Sequence, residues 1–327
     1  MRGSTRSEMT LTDISVQDDR IHVGARLAVS FQRTLRIPDD GGTYPLPPGL
    51  GRFPVFSAAD YIDRLPRSWQ HDFFIPMYRR EALWIAFEGA WWKPNAVKVG
   101  VGGVNAITGT SWDSALSDNP QNYVVAPDQP WLDGINSGDE TVRQFVAVSL
   151  GEGQTVEAQI TGKEGIGGIQ IAAFDPLPGK FPDVAPPKTN RSLDSALSLE
   201  MPQMLGLGVG GTMRQKIYPD KYGIKTWDPD SIGSFFVHLI NVAEFRAITG
   251  AQEPATPVDA TAYSAAGLPW FELLDEEESD IDPAEVLARI RSIRDLERAD
   301  ADESIEVAPS QLRKVPLKKH RTSRPTE

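Results

Sequence analysis

The residues best equipped for chemistry fall in one short aromatic and acidic run, Pro127-Asp128-Gln129-Pro130-Trp131-Leu132-Asp133-Gly134. Asp128 and Asp133 offer acceptors, Trp131 offers an apolar face, and Pro127 and Pro130 stiffen the loop between them. A polar ligand with an apolar side, such as a sugar or an amine, suits this combination. So does a rigid corner in which the aspartates cap turns and Trp131 joins the core, and the residue types favour the corner. A second run, Tyr218-Pro219-Asp220-Lys221-Tyr222 continuing to Trp227-Asp228, carries the same ambiguity. If the two loops bind a ligand, Gln129, Trp131, Tyr218, Tyr222 and Trp227 are the expected contacts. Carboxylates facing one another across the loops would suit acid–base work, which depends on their separation. The candidate catalytic groups are therefore Asp128, Asp133, Asp220 and His238. His238 lies in the apolar run Phe235-Phe236-Val237-His238-Leu239-Ile240, where a half-buried histidine bonded to backbone is the expected role rather than a base.

Other chemistries lack their signatures. The chain has no cysteine, which removes disulfides, thiolate nucleophiles and thiolate metal sites. It has no P-loop lysine motif, no His-Glu-x-x-His and no Gly-x-Ser-x-Gly. The four histidines, His22, His71, His238 and His320, are far apart in sequence, and neither a metal nor a cofactor is expected. Gly206-Leu207-Gly208-Val209-Gly210-Gly211 can be read as G-x-G-x-x-G, with Asp228 at about the distance of a ribose-binding acid. A dinucleotide site needs a strand before this run and a helix after it. The preceding segment is helix-like and broken at Pro202, and the following one is too short for a crossover helix. A tight turn at the entrance to a second lobe is expected instead. Gly100–Gly103 reads as a strand crowded by neighbouring backbone.

These residues must be held by a scaffold that composition constrains. The chain has 327 residues, 40% of them hydrophobic and 24% charged, with eight tryptophans. That describes a folded globular protein of one large or two ordinary domains. Dispersed glycine and proline favour many short elements over a helical bundle. A net charge of −12 argues against nucleic acid as a partner. Acid concentrates in Glu272–Asp282, and basic residues Arg313, Lys314, Lys318, Lys319, Arg321 and Arg324 follow. No apolar run approaches the roughly 20 residues of a membrane span. No secretory signal is read in residues 1–19, so a soluble cytoplasmic protein is expected.

Alternation predicts strands over Ile21–Ile37, Phe73–Met77, Ala82–Phe87, Ala96–Val101, Val142–Leu150, Val156–Ile160, Gly168–Phe174 and Ser234–Ile240. Val242–Ile248 reads as a helix ending at Gly250, and Leu193–Leu205 as a helix broken at Pro202. Pro283–Ala299 reads as an amphipathic helix capped by Asp282, with a Val286, Leu287, Ile290, Ile293, Leu296 stripe. Three Ile-Thr-Gly tripeptides, at 107–109, 160–162 and 248–250, are read as shared turn chemistry.

Five stretches carry a resemblance: Arg36-Ile37-Pro38-Asp39-Asp40, Tyr44-Pro45-Leu46-Pro47-Pro48-Gly49-Leu50-Gly51, the Pro127–Gly134 run, Arg143-Gln144-Phe145-Val146-Ala147, and Gly267-Leu268-Pro269-Trp270-Phe271. Together they resemble an uncharacterised family of bacterial and fungal proteins, over about residues 21–275. Some members carry the label "integral membrane protein", which the hydropathy here contradicts. The resemblance implies no activity, ligand or catalytic residue.

The expectation is a mainly β protein. A β-sandwich or jelly-roll-like body spans 20–175, preceded by a flexible arm at 1–19. A proline-rich linker at 176–205 leads to a smaller α+β lobe at 206–275. Residues 276–327 supply an acidic segment, a peripheral C-terminal helix and a disordered basic tail. The expected function is non-catalytic binding or assembly through the aromatic and acidic loops. Residues 283–299 are available to a protein partner or a second copy, with no nucleic acid and no membrane. The alternative is a metal-independent hydrolase or isomerase using the Asp and His groups above.

Overall fold

The computed structural model describes residues 13–138, 140–184, 204–274, 278–297 and 307–316. The chain opens with β1 (Ile14–Gln17), β2 (Arg20–Val23) and β3 (Leu27–Thr34). The proline-rich stretch that follows carries β4 (Thr43–Tyr44), β5 (Gly49–Arg52) and β6 (Phe56–Ser57). Next come β7 (Phe73–Met77), β8 (Ala82–Gly89), β9 (Asn95–Val101) and β10 (Val104–Asn105). The candidate loop region holds β11 (Val124–Ala126), β12 (Trp131–Leu132), β13 (Gly134–Gly138) and β14 (Thr141–Ser149). Helix α1 (Val156–Thr161) precedes the three long strands β15 (Ile169–Pro176), β16 (Met204–Arg214) and β17 (Trp227–Asn241). The remainder is α2 (Val242–Thr249), α3 (Ala260–Ala265), β18 (Trp270–Leu274), α4 (Glu285–Ala288), α5 (Ile293–Glu297) and β19 (Leu312–Pro316).

The fold is mainly β, as the composition and alternation predict, and β1 to β17 join in one sheet whose pairings are largely antiparallel. In one arm β15 lies between β9 and β17, with Ile171 opposite Val99 and Phe235. In the other, β8 lies between β3 and β14, with Ile85 opposite Phe31 and Leu83 opposite Phe145. The arms meet where β17 passes from β15 to β16, placing Leu239 opposite Leu205. Every second residue of both arms enters one buried cluster: Val97, Val99, Val101, Ile171 and Val237 from the first, Val29, Phe31, Leu83, Ile85 and Phe145 from the second. A strand has period two, so a one-residue slip would turn any of these sets outward; core burial therefore locks the register. The sheet thus bends over one main core as a sandwich-like body, with smaller buried clusters beside it. No helix among the described residues is long and apolar enough to cross a membrane.

Several local readings change. Val156–Thr161 is a helix rather than a strand: the Thr155 side chain accepts from the Ala158 amide at 3.1 Å, and Gly162 closes the other end at φ +69°. The cap and the helix-favouring Glu157-Ala158-Gln159 override a short apolar alternation. Ile14–Gln17, placed by sequence in a loose arm, pair antiparallel with β2. Gly206–Gly211 is not a turn at a lobe entrance but the middle of β16, paired along β14. A Cβ at Gly211 would stand 2.1 Å from the Pro38 carbonyl oxygen, and one at Gly208 2.9 Å from that of Gln154. These two glycines answer close backbone approach, whereas Gly100–Gly103, read as a strand crowded by backbone, meets side chains of Trp112, Glu157 and Ile166, and Gly102 and Gly103 turn the chain between β9 and β10 at φ +56° and +76°. Strands β16 and β17, assigned by composition to a second lobe, are hydrogen-bonded to β14, β15 and β7 of the body. The expected helix over Leu193–Leu205 falls mostly outside the described residues, although Leu205 itself is in β16. The basic residues beyond 316 also lie outside them. Helix α2 ends at Gly250 as predicted, and the Ile-Thr-Gly tripeptides do share a turn: Gly109, Gly162 and Gly250 have φ of +72°, +69° and +76°.

The segment expected as one helix over 283–299 forms α4 and α5, and its stripe is used within the chain. Leu287 and Ile293 are fully buried, and Ile290 nearly so. Ile293 packs on Val146 and Val148, on the outer face of β14. Polar ties hold it there: Gln159 exchanges two hydrogen bonds with the Arg291 backbone, at 2.7 and 3.0 Å, and Arg143 donates to the Ile290 carbonyl. Upstream, Asp280 accepts from the amides of Glu140 and Ile217, each at 2.7 Å.

Candidate functional site

The two aromatic and acidic loops do meet, and three glutamines lace them together. Gln129 donates to the Trp131 and Lys216 carbonyls at 3.1 and 3.2 Å and accepts from the Tyr218 amide at 2.9 Å. Gln215 accepts from the Asp133 amide at 2.9 Å and donates to the Trp131 carbonyl at 3.3 Å. Gln121 donates to the carbonyls of Tyr123 and Tyr218 and accepts from the Asp220 amide at 2.8 Å. A primary amide can donate and accept at once, so each glutamine satisfies loop backbone from both sides. Gln129, expected as a ligand contact, is 2% exposed and bound up in this lacing.

The carboxylates have separate fates. Asp220 accepts from the Tyr123 hydroxyl at 2.6 Å, the Trp227 indole at 2.8 Å and the Tyr222 amide at 2.8 Å. It is a structural hub. Trp227 and Tyr218 are buried beside it, and Tyr222 packs edge-on against Trp227 and Phe181. Asp128 lies 2.9 Å from the Lys221 ammonium and so clips one loop to the other. His238 is elsewhere: its Nε2 is 2.9 Å from Asp72, and its ring stacks on Trp69 at 3.4 Å between centroids. Burial lowers the pKa of His238, against the pull of Asp72, which favours the neutral ring. Its partner is thus a side chain, not the backbone expected. None of Asp128, Asp133 and Asp220 is hydrogen-bonded to it among the described residues. Nor do three or more His, Asp or Glu side chains gather there as a metal site.

Asp133 differs from the rest. Residues 131 and 133 share a face because they are two apart on an extended chain. The Trp131 indole donates to Asp133 Oδ2 at 2.6 Å. Asp133 is 3% exposed, yet no described residue forms an ion pair with it or donates to Oδ1. Burial pushes its pKa up to about 7, with the indole hydrogen bond opposing.

This carboxyl lines a cavity of about 170 Å³ with Leu46, Pro47, Trp84, Trp131, Phe271 and Val315. Trp84 points off the core-facing side of β8, and its ring meets Trp131 edge-on at 6.2 Å. The far wall comes from β18 and β19, a separate parallel pair that sets Phe271 opposite Arg313 and Leu273 opposite Val315. Leu46 and Phe271 exchange backbone hydrogen bonds at 3.0 Å, which tie that pair to the body. Sequence reasoning found Trp131 and Asp133 but missed the rest of the lining. The Pro269-Trp270-Phe271 corner and Trp84, an aromatic out of phase with the core alternation of β8, were the available signals.

No family model, no curated protein and no solved structure matches the chain. The motif resemblance therefore gains no support.

Proposed function

We propose that this is a non-catalytic binding protein whose site is the aromatic cavity over Trp84 and Trp131. One observation carries the reading: a buried carboxyl, Asp133, faces a cavity with aromatic walls and has no charge partner among the described residues. Proteins seldom bury a carboxyl without a partner, because desolvation is costly; a ligand would offset that cost. The volume is below the roughly 300–1,000 Å³ of sites for drug-sized ligands, so a small molecule is the occupant. The dispersal of Asp128, Asp220 and His238 into separate structural roles favours binding over acid–base catalysis. Cysteine-free composition fits a soluble protein of the cytoplasm. The assembly role considered for residues 283–299 has less to work with, since Val286 is the exposed large apolar side chain of that stripe.

The test is a screen of small cyclic and aliphatic compounds, read at the indole signals of Trp84 and Trp131 by NMR. Saturable shifts of both indoles are expected, and they should vanish for Trp131 in Trp84→Ala. A screen that moves neither indole would refute the reading.

A further inference from the structure

We infer that the cavity takes a compact organic cation, a primary or secondary amine on a small apolar body, an inference that rests on the cavity being a ligand site. Three observations point to this class. Asp133 presents a carboxylate whose Oδ2 is held at 2.6 Å by the Trp131 indole and whose Oδ1 has no donor among the described residues. A ligand N–H can take that place, and a charged N–H does so most strongly. The walls are π faces and alkyl groups: Trp84 and Trp131, edge to face at 6.2 Å, with Phe271 and Leu46 completing them. Aromatic faces carry negative potential and attract cations, more so when water is excluded. Finally, no lysine, arginine or histidine among the described residues lines the cavity.

The alternatives fit less well. An anion would face Asp133 with no cation among the described lining residues to receive it. A neutral alcohol could donate to Oδ1 but would leave the buried charge uncompensated. A sugar would place many hydroxyls against Leu46, Pro47, Phe271 and Val315, which offer no side-chain hydrogen bonds.

The experiment compares three probes of one shape and different charge, cyclohexylamine, cyclohexanol and cyclohexanecarboxylate, by calorimetric titration of the full chain at pH 8. The amine is expected to bind, with the alcohol about tenfold weaker or worse and the carboxylate undetectable. In Asp133→Asn, which keeps an acceptor for the Trp131 indole, the amine should lose its advantage while alcohol binding is retained; that retention shows the variant is folded. Equal or tighter binding of the alcohol to the parent chain would overturn the charge argument and leave the cavity reading standing. So would an amine preference that survives Asp133→Asn. If none of the three binds, both readings fall together.

Discussion

At the scale of single residues, three aspartates that look alike in sequence do three different things. Asp128 is paired with Lys221, Asp220 is saturated by neutral donors, and Asp133 holds one indole and, among the described residues, no cation. The last has a measurable consequence. In the unfolded chain its carboxyl titrates near about 4, whereas in the folded protein it is pushed up to about 7. Below the lower value it is neutral in both states and contributes nothing. Between the two values the folded state keeps a proton that the unfolded state has released, so stability falls as pH rises, and the full penalty persists above the upper value. Asp133→Asn is therefore expected to raise the thermal midpoint at pH 8 and leave it nearly unchanged at pH 4, as scanning calorimetry would show. Equal shifts at both pH values would mean the carboxyl is not perturbed. Tyr123→Phe tests the other pattern. Its hydroxyl is a buried donor to Asp220 at 2.6 Å, and burial and that carboxylate hold the phenol well above its ordinary pKa. The variant is expected to lose about 1–2 kcal/mol in urea unfolding, with no dependence between pH 6 and 9.

At the scale of elements, period-two alternation was readable wherever a strand buries one face, as in Leu27–Thr34 or Ile169–Pro176. It misled where burial is local. Val156–Thr161 alternates briefly, but its conformation is decided by the cap at Thr155 and by Glu157, whose carboxylate accepts from the amides of Gly165, Ile166 and Gly167. Contacts eight to ten residues away leave no mark on hydrophobic periodicity. The glycine-rich β16 was misread for a related reason. Gly211 and Gly208 are demanded by the backbone of Pro38 and Gln154, chain segments far off in sequence. Gly211→Ala should cost about 1–3 kcal/mol, since backbone must move to admit the methyl. Gly165→Ala, where nothing stands within 4 Å, should stay within about 0.5 kcal/mol. Chemical denaturation of both variants checks the contrast, and equal effects would refute the close-approach account. For the site, Trp131 and Asp133 were legible as a pair because their spacing puts them on one face. The remainder of the lining was not, because Trp84, Phe271 and Val315 come from separate segments whose meeting depends on the folded sheet.

At the scale of the molecule, the late segments act as a clasp on the sheet. Leu287, Ile290 and Ile293 cover apolar surface, and Glu297 pairs with Arg80 and, at 3.5 Å, with Arg79. A chain ending at residue 282 would uncover Val146 and Val148. It is expected to unfold at a midpoint lower by several degrees, consistent with the loss of three buried aliphatic side chains. Light scattering should also show more self-association, as the uncovered patch finds other copies. An unchanged midpoint would mean the clasp adds nothing to the fold.

Strand β19 supplies Val315 to the cavity, while Trp84, Trp131 and Asp133 on the other wall come from far earlier in the chain. The two walls are separated by most of the length of the polypeptide, so translation finishes one long before it starts the other. If the proposed ligand binds there, Val315 completes its enclosure only once β19 has docked on β18.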